Sequence, residues 1–84
     1  MVNRIRNELV AKGRIVAERH DQIGQEAEVN GLRGEASRRY MKAANVWLML
    51  SRHMLGEGSN RCVLNYYYLL QRSRSQLLTG SLRS

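Results

Sequence analysis

The sequence contains no proline and no phenylalanine, a single cysteine and two histidines. With proline absent, no position carries the ring that breaks a helix interior. No run of alternating β-branched residues marks a strand. The lone thiol, Cys62, excludes an internal disulfide and fits a reducing compartment. No apolar run approaches the roughly 20 residues that a membrane span needs. The opening "MVNRIRNELVAKGR" also lacks the uninterrupted apolar core of a secretory signal. These absences predict a cytoplasmic all-α protein with no membrane contact.

What is present supports the same class. Hydrophobic residues make up 43% of the chain and are rich in Leu, Val, Ala and Met. At 84 residues there is room for one domain over 1–84 and a small helical core. Such a core must bury apolar surface economically or borrow some from a partner. Fourteen Lys and Arg stand against seven Asp and Glu, a net charge of +7. That field attracts nucleic acid, an acidic protein face or an anionic membrane surface. After Glu57 the chain carries Arg61, Arg72, Arg74 and Arg83 and no acid, so the basic excess is concentrated toward the C-terminal end.

Apolar spacing predicts three helices, over about 3–29, 34–55 and 61–78, with a frayed tail over 79–84. Asn3 is the expected N-cap of the first. Its expected inner face is Val2, Leu9, Val16 and Ile23, repeating every seven residues, with Ile5 and Ala27 extending the stripe. Lys12 and Arg19 interrupt it, although their stems can lie along apolar surface. Gly13 reads as a bend or break, and Asn30-Gly31 as a helix stop, since both residues tolerate the left-handed conformation. The second helix sets Ala36, Tyr40, Ala43, Ala44, Trp47, Leu50, Met54 and Leu55 on one face, and Arg38, Lys42, Asn45 and Arg52 on the other. "GEGSN", Gly56 to Asn60, reads as the next break, with Ser59 or Asn60 as N-cap. The third helix is expected to bury Val63, Tyr66, Tyr67, Leu70 and Leu77, with Arg72 and Arg74 near the negative end of its dipole. Two short connections imply antiparallel neighbours, hence a three-helix hairpin stack or small bundle.

Enzymatic constellations are poorly represented. His20 and His53 lie in no His-x-x-x-His or Glu-x-x-His arrangement, and one cysteine cannot complete a zinc site. Cys62, beside Arg61 near a helix start, would have a lowered pKa if exposed there, but a buried apolar role is the commoner one. The glycines fit no phosphate-cradling loop, because no strand precedes them and no Gly-Lys-Ser follows. The expectation is a non-enzyme with no metal and no cofactor.

Binding has more to work with. In "NYYYLL" three consecutive tyrosines cannot all face a core; Tyr68 is turned about 100° from its neighbour. An exposed tyrosine suits a protein interface and can also stack on a base. Arg38, Lys42 and Arg52 line one side of a helix, a spacing that fits a phosphate backbone, an acidic partner or an ordinary solvated face. Val46, Leu48, Met49 and Tyr68 fall off the main stripes, and self-association would cover them.

The stretch from Gly24 to Ala43 resembles a tetratricopeptide hairpin, which sets small residues and one aromatic at the positions of Gly24, Gly31, Ala36, Tyr40 and Ala43. His20, Ile23 and Ala27 stand where that repeat has Trp, Leu and Tyr, and no second full repeat follows. The segment "EVNGLRGEASRRYM" resembles the PerC and AraC-negative-regulator (ANR) family of small enterobacterial regulators. Glu28, Gly31, Leu32, Ala36, Ser37, Arg39, Tyr40 and Met41 match or substitute conservatively for its Ala-x-x-Leu-Glu-x-x-Gly-Leu-Trp-Arg-Arg-Ala-Ala-x-Arg-Trp-Leu pattern, and Arg61-Cys62 follows at about the family's distance. Arg33 replaces the family's first Trp, and Gly34-Glu35 its basic pair. The resemblance implies regulation of bacterial transcription or virulence genes.

The expected function is therefore a small basic adaptor acting by protein–protein interaction, as a homodimer or hetero-complex. Its candidate partner-binding residues are Arg38, Lys42, Met49, Arg52, Tyr68, Arg72 and Arg74. Direct nucleic-acid binding is the alternative from another class. A third is a secretion chaperone or phage-encoded inhibitor with a tetratricopeptide-like groove.

Overall fold

The computed structural model describes the backbone of residues 2–83 and the side chains of residues 4–78. Three helices follow in order: α1, Val2–Val29; α2, Arg33–Ser51; and α3, Glu57–Arg83. The all-α three-helix architecture is as expected, with no strand among the described residues. The side chains of Val2 and the expected cap Asn3, and those of the tail 79–84, lie outside the described residues. Helix α2 is central and packs on both α1 and α3, which touch one another far less. Cα extents of 54 × 19 × 13 Å are those of long helices side by side in one layer.

The first turn is closed where Asn30-Gly31 predicts. Gly31 takes φ +78°, its N–H donates to the Glu28 carbonyl at 3.0 Å, and the Leu32 N–H donates to the Ala27 carbonyl at 2.8 Å. This paired closure is a Schellman motif, and it satisfies carbonyls that the helix end would otherwise strand. The second break lies earlier than expected. Helix α2 stops at Ser51 and α3 begins at Glu57, so Gly58, Ser59 and Asn60 belong to the first turn of α3. Gly56, at φ +62°, reverses the chain, and its carbonyl accepts the Asn60 N–H at 3.2 Å. Ser59 is no cap of its own helix; its hydroxyl donates to the Ser51 carbonyl at 2.9 Å and ties the two helix ends together.

The α1 face that meets α2 coincides with the expected apolar stripe only toward its C-terminal end. Ala27 is buried and Ile23 half-buried as expected, but Ala17 and Gly24 are buried as well, and Ile5, Leu9 and Val16 are exposed. The reason lies in α2, whose Tyr40 and Leu50 are wholly buried knobs that need holes. Gly24 receives Tyr40: a Cβ on Gly24 would lie 2.8 Å from Tyr40 Cε1. Gly13 receives the Leu50 side chain in the same way, so this glycine is a packing site inside a continuous helix and not a break.

The buried face of α3 is likewise rotated from expectation. Cys62, Leu69, Ser73 and Gln76 are buried; Val63, Tyr66 and Leu70 are half-buried; Tyr67 and Leu77 are exposed. The α2 surface facing α3 is lined by small residues, which lets a polar pair close the contact. Ser73 donates to the Ser37 carbonyl at 2.9 Å, and the two hydroxyls are 2.9 Å apart. Because the Ser73 proton is committed to that carbonyl, Ser37 donates to Ser73 Oγ. The core joins Ala27, Ala36, Tyr40, Ala43, Ala44 and Leu69, with Trp47 and Tyr66 packed against it.

Candidate functional site

The candidate binding residues divide between opposite sides of α2. Arg38, Lys42, Met49 and, one residue past the helix end, Arg52 recur at spacings that share one helix face, on the side opposite Tyr40 and Trp47. All four are exposed. Arg38 is engaged within its own helix, with Nη2 2.8 Å from Glu35 Oε2. Arg39, one residue on, reaches the other oxygen of Glu35 at 3.2 Å. These two guanidiniums hold the Glu35 carboxyl below its ordinary range, the Arg39 hydrogen bond being the largest cause.

Arg39 also donates from Nη1 to His20 Nδ1 at 3.2 Å across the α1–α2 contact. An arginine cannot accept, so His20 is neutral there, with its proton on Nε2. Desolvation, then the charges of Arg39, Lys42 and Arg19, lower its pKa from the ordinary 6.5.

Tyr68 and Arg72 lie on the other side. The Tyr40 hydroxyl donates to Glu28 Oε1 at 2.7 Å, and burial, then this hydrogen bond, raises the phenol's pKa well above its ordinary value. Arg72 is 3.6 Å from the same carboxylate oxygen, covers the Tyr40 ring and reaches the Tyr68 hydroxyl at 3.4 Å. Arg72 is thus committed to joining α3 to α1 over Tyr40. Arg74 is exposed.

Beyond this clasp, Trp47 floors two adjoining recesses between α1 and α3. One, of about 140 Å³, is lined by Glu18 and Asp21 of α1 and by Asn65, Tyr68 and Leu69 of α3. The other, of about 160 Å³, is lined by Arg14, Met54, Gly58, Arg61, Cys62 and Asn65. Both fall below the roughly 300 Å³ at which small-molecule sites begin, and each has room for a side chain. The Cys62 thiol is buried 3.4 Å from Met54 Sδ. Burial pushes its pKa up against the opposing charge of Arg14, so the activated thiolate that Arg61 would favour does not form. Among the described residues no three His, Cys, Asp or Glu side chains are grouped as a metal ion requires.

No family model, curated protein or solved structure matches the chain. The residues themselves must therefore carry the functional reading. Among the described residues no helix is long and apolar enough to cross a membrane.

Periodicity pointed to Tyr68 but missed its companions. Leu64, Tyr67 and Tyr68 are 67%, 60% and 59% exposed, and with Gln71, Ser75 and Leu78 they recur at i, i+3, i+4, i+7, i+11 and i+14 along α3. This stripe faces away from the buried Leu69 and Ser73. Arg61 and Arg72 flank one side of it and Arg74 the other. The sequence signal was the consecutive tyrosines, which guarantee that at least one points outward.

Proposed function

We propose that the protein is a small basic helical adaptor that binds a protein partner through the outer stripe of α3 and acts in the regulation of bacterial transcription or virulence genes. The observation that carries this reading is the exposed Leu64, Tyr67 and Tyr68 on a helix surface that carries no acid after Glu57 in its first turn and has the exposed Arg61 and Arg74 at its flanks. Large amphipathic rings with a basic rim suit an amphipathic helix whose own flanks are acidic. The regulatory setting rests on the resemblance of Glu28–Met41 to the PerC and AraC-negative-regulator pattern. Cytoplasmic location accords with that setting.

A pull-down from bacterial lysate after nuclease treatment tests the reading, comparing the native chain with a Tyr67→Ser/Tyr68→Ser variant. The expected result is a nuclease-resistant protein retained by the native chain and lost by the variant, whose melting is unchanged. Equal retention by both chains rejects this face.

Direct nucleic-acid binding is the second reading, favoured by exposed Arg38, Lys42 and Arg52 on one side of α2. It predicts affinity falling steeply with salt, because each neutralised phosphate releases counterions. A chaperone groove has less support, since the recesses beside Trp47 admit a side chain and not a helix.

A further inference from the structure

We infer that α1 pairs antiparallel with the α1 of a second copy of this chain, along the stripe of Ile5, Leu9, Val16 and Ile23. These residues repeat at the spacing of a helix–helix seam. Yet the structure leaves Ile5 68%, Leu9 41% and Val16 45% exposed, and Ile23 only half-buried. From Ile5 to Ile23 the stripe runs about 27 Å at about 1.5 Å per residue. That is long enough for a partner helix to lie along it, with the stems of Lys12 and Arg19, which interrupt the stripe, covering apolar surface beside Leu9 and Val16.

The charges of α1 choose the occupant and its direction. The N-terminal half carries Arg4, Arg6, Lys12 and Arg14 against Glu8, and the C-terminal half Glu18, Asp21, Glu26 and Glu28 against Arg19. The helix has no acid in its first turn and no base in its last. This polarity opposes the helix's own dipole, which favours acids at the start and bases at the end. A second α1 lying antiparallel sets each basic half against an acidic half and offsets both penalties. With the two-fold axis near Arg14, Ile5 meets the partner's Ile23, Arg4 the partner's Glu26, and Glu8 the partner's Arg19. A parallel pair would instead stack Lys12 on Lys12 and Arg19 on Arg19. The pairing leaves the α3 stripe open and does not rest on the reading of that surface.

Sedimentation equilibrium of the full chain at low salt tests the pairing. The expected mass is twice 9.7 kDa, and Ile5→Asp, which sets an acid against the partner's Ile23 and Glu26, should weaken association by more than about tenfold. Direction is read from cysteine variants in a Cys62→Ser background. Oxidation of a mixture of Ile5→Cys and Ile23→Cys chains should give the mixed disulfide, while each variant alone stays largely uncrosslinked. A monomer at every concentration overturns the inference. So does a dimer that Ile5→Asp leaves intact, or efficient disulfide formation by Ile5→Cys alone. Should Ile5→Asp fail to fold, the cysteine pair decides.

Discussion

The Arg72 guanidinium of α3 lies 4.7 Å from the centre of the Tyr40 ring of α2, and the Glu28 carboxylate of α1 takes both the Tyr40 hydroxyl and the Arg72 charge. One side chain from each helix thus meets at a single point. Tyr40→Ala should cost about 3–5 kcal/mol, the loss of a fully buried aromatic. Tyr40→Phe, which keeps the ring and loses the hydrogen bond, should cost about 1–2 kcal/mol. Arg72→Ala should cost about 1 kcal/mol, because the cation lies over a ring but its partly exposed ion pair is screened. Urea unfolding of the three variants orders them.

Glycines of the two helices should respond oppositely to alanine. Gly34 has nothing within 4 Å of an added Cβ, so Gly34→Ala should stabilise α2 by about 0.5–1 kcal/mol through helix propensity. Gly24→Ala gains the same propensity but drives a methyl into the buried Tyr40 ring. It should be net destabilising by about 1–2 kcal/mol. Thermal melting distinguishes the signs.

The two serines of the α2–α3 contact are not equivalent, although both are buried. Ser37→Ala leaves Ser73 still donating to the Ser37 carbonyl. Ser73→Ala removes the acceptor of the Ser37 hydroxyl and the donor to that carbonyl together. We expect the second to cost about 1 kcal/mol more than the first, and equal costs in chemical denaturation would refute the assigned proton positions.

His20 should make the fold sensitive to mild acid. Its folded-state pKa is below the ordinary 6.5, so as pH falls through 6.5 the unfolded chain takes up a proton that the folded chain refuses. Stability present above pH 6.5 is therefore lost progressively until the folded pKa is reached. Melting temperature measured from pH 7.5 down to 5 should decline, and His20→Gln should flatten that decline.

Reversing the outer face of α2 with Arg38→Glu, Lys42→Glu and Arg52→Glu tests whether that face binds anything. All three side chains are exposed, so melting should change little, within about 1 kcal/mol. Partner capture through α3 should survive. Loss of binding to a nucleic-acid duplex, measured by fluorescence anisotropy, would instead favour the second reading.

The helices and the first turn were legible from local pattern. Gly31 stops α1 as expected, Tyr40 and the alanines of α2 face inward, and Gly24, a small position of the tetratricopeptide-like pattern, receives Tyr40. The second turn was misplaced because Gly56, Gly58 and Asn60 all resemble breakers in sequence. Only Gly56 of these takes a positive φ, and the Ser59–Ser51 hydrogen bond that sets the geometry spans two helices. The candidate residues of α2 were correctly placed on an outer face, whereas Arg72 proved to be engaged with Tyr40 and Glu28.

Rotation of α1 and α3 was where sequence reasoning failed, and the physical cause is the same in both. A helix forms from hydrogen bonds between residues four apart and from local capping, so its existence and ends are written along the chain. Which face turns inward is chosen by the shape of the neighbour. Tyr40 and Leu50 select Gly24 and Gly13 over the larger Leu9 and Val16, and the small surface of α2 selects Ser73 over Tyr67. Apolar periodicity marked the greasy faces of α1 and α3 faithfully. Packing against α2 left much of that surface outside, where a second copy or a partner would meet it.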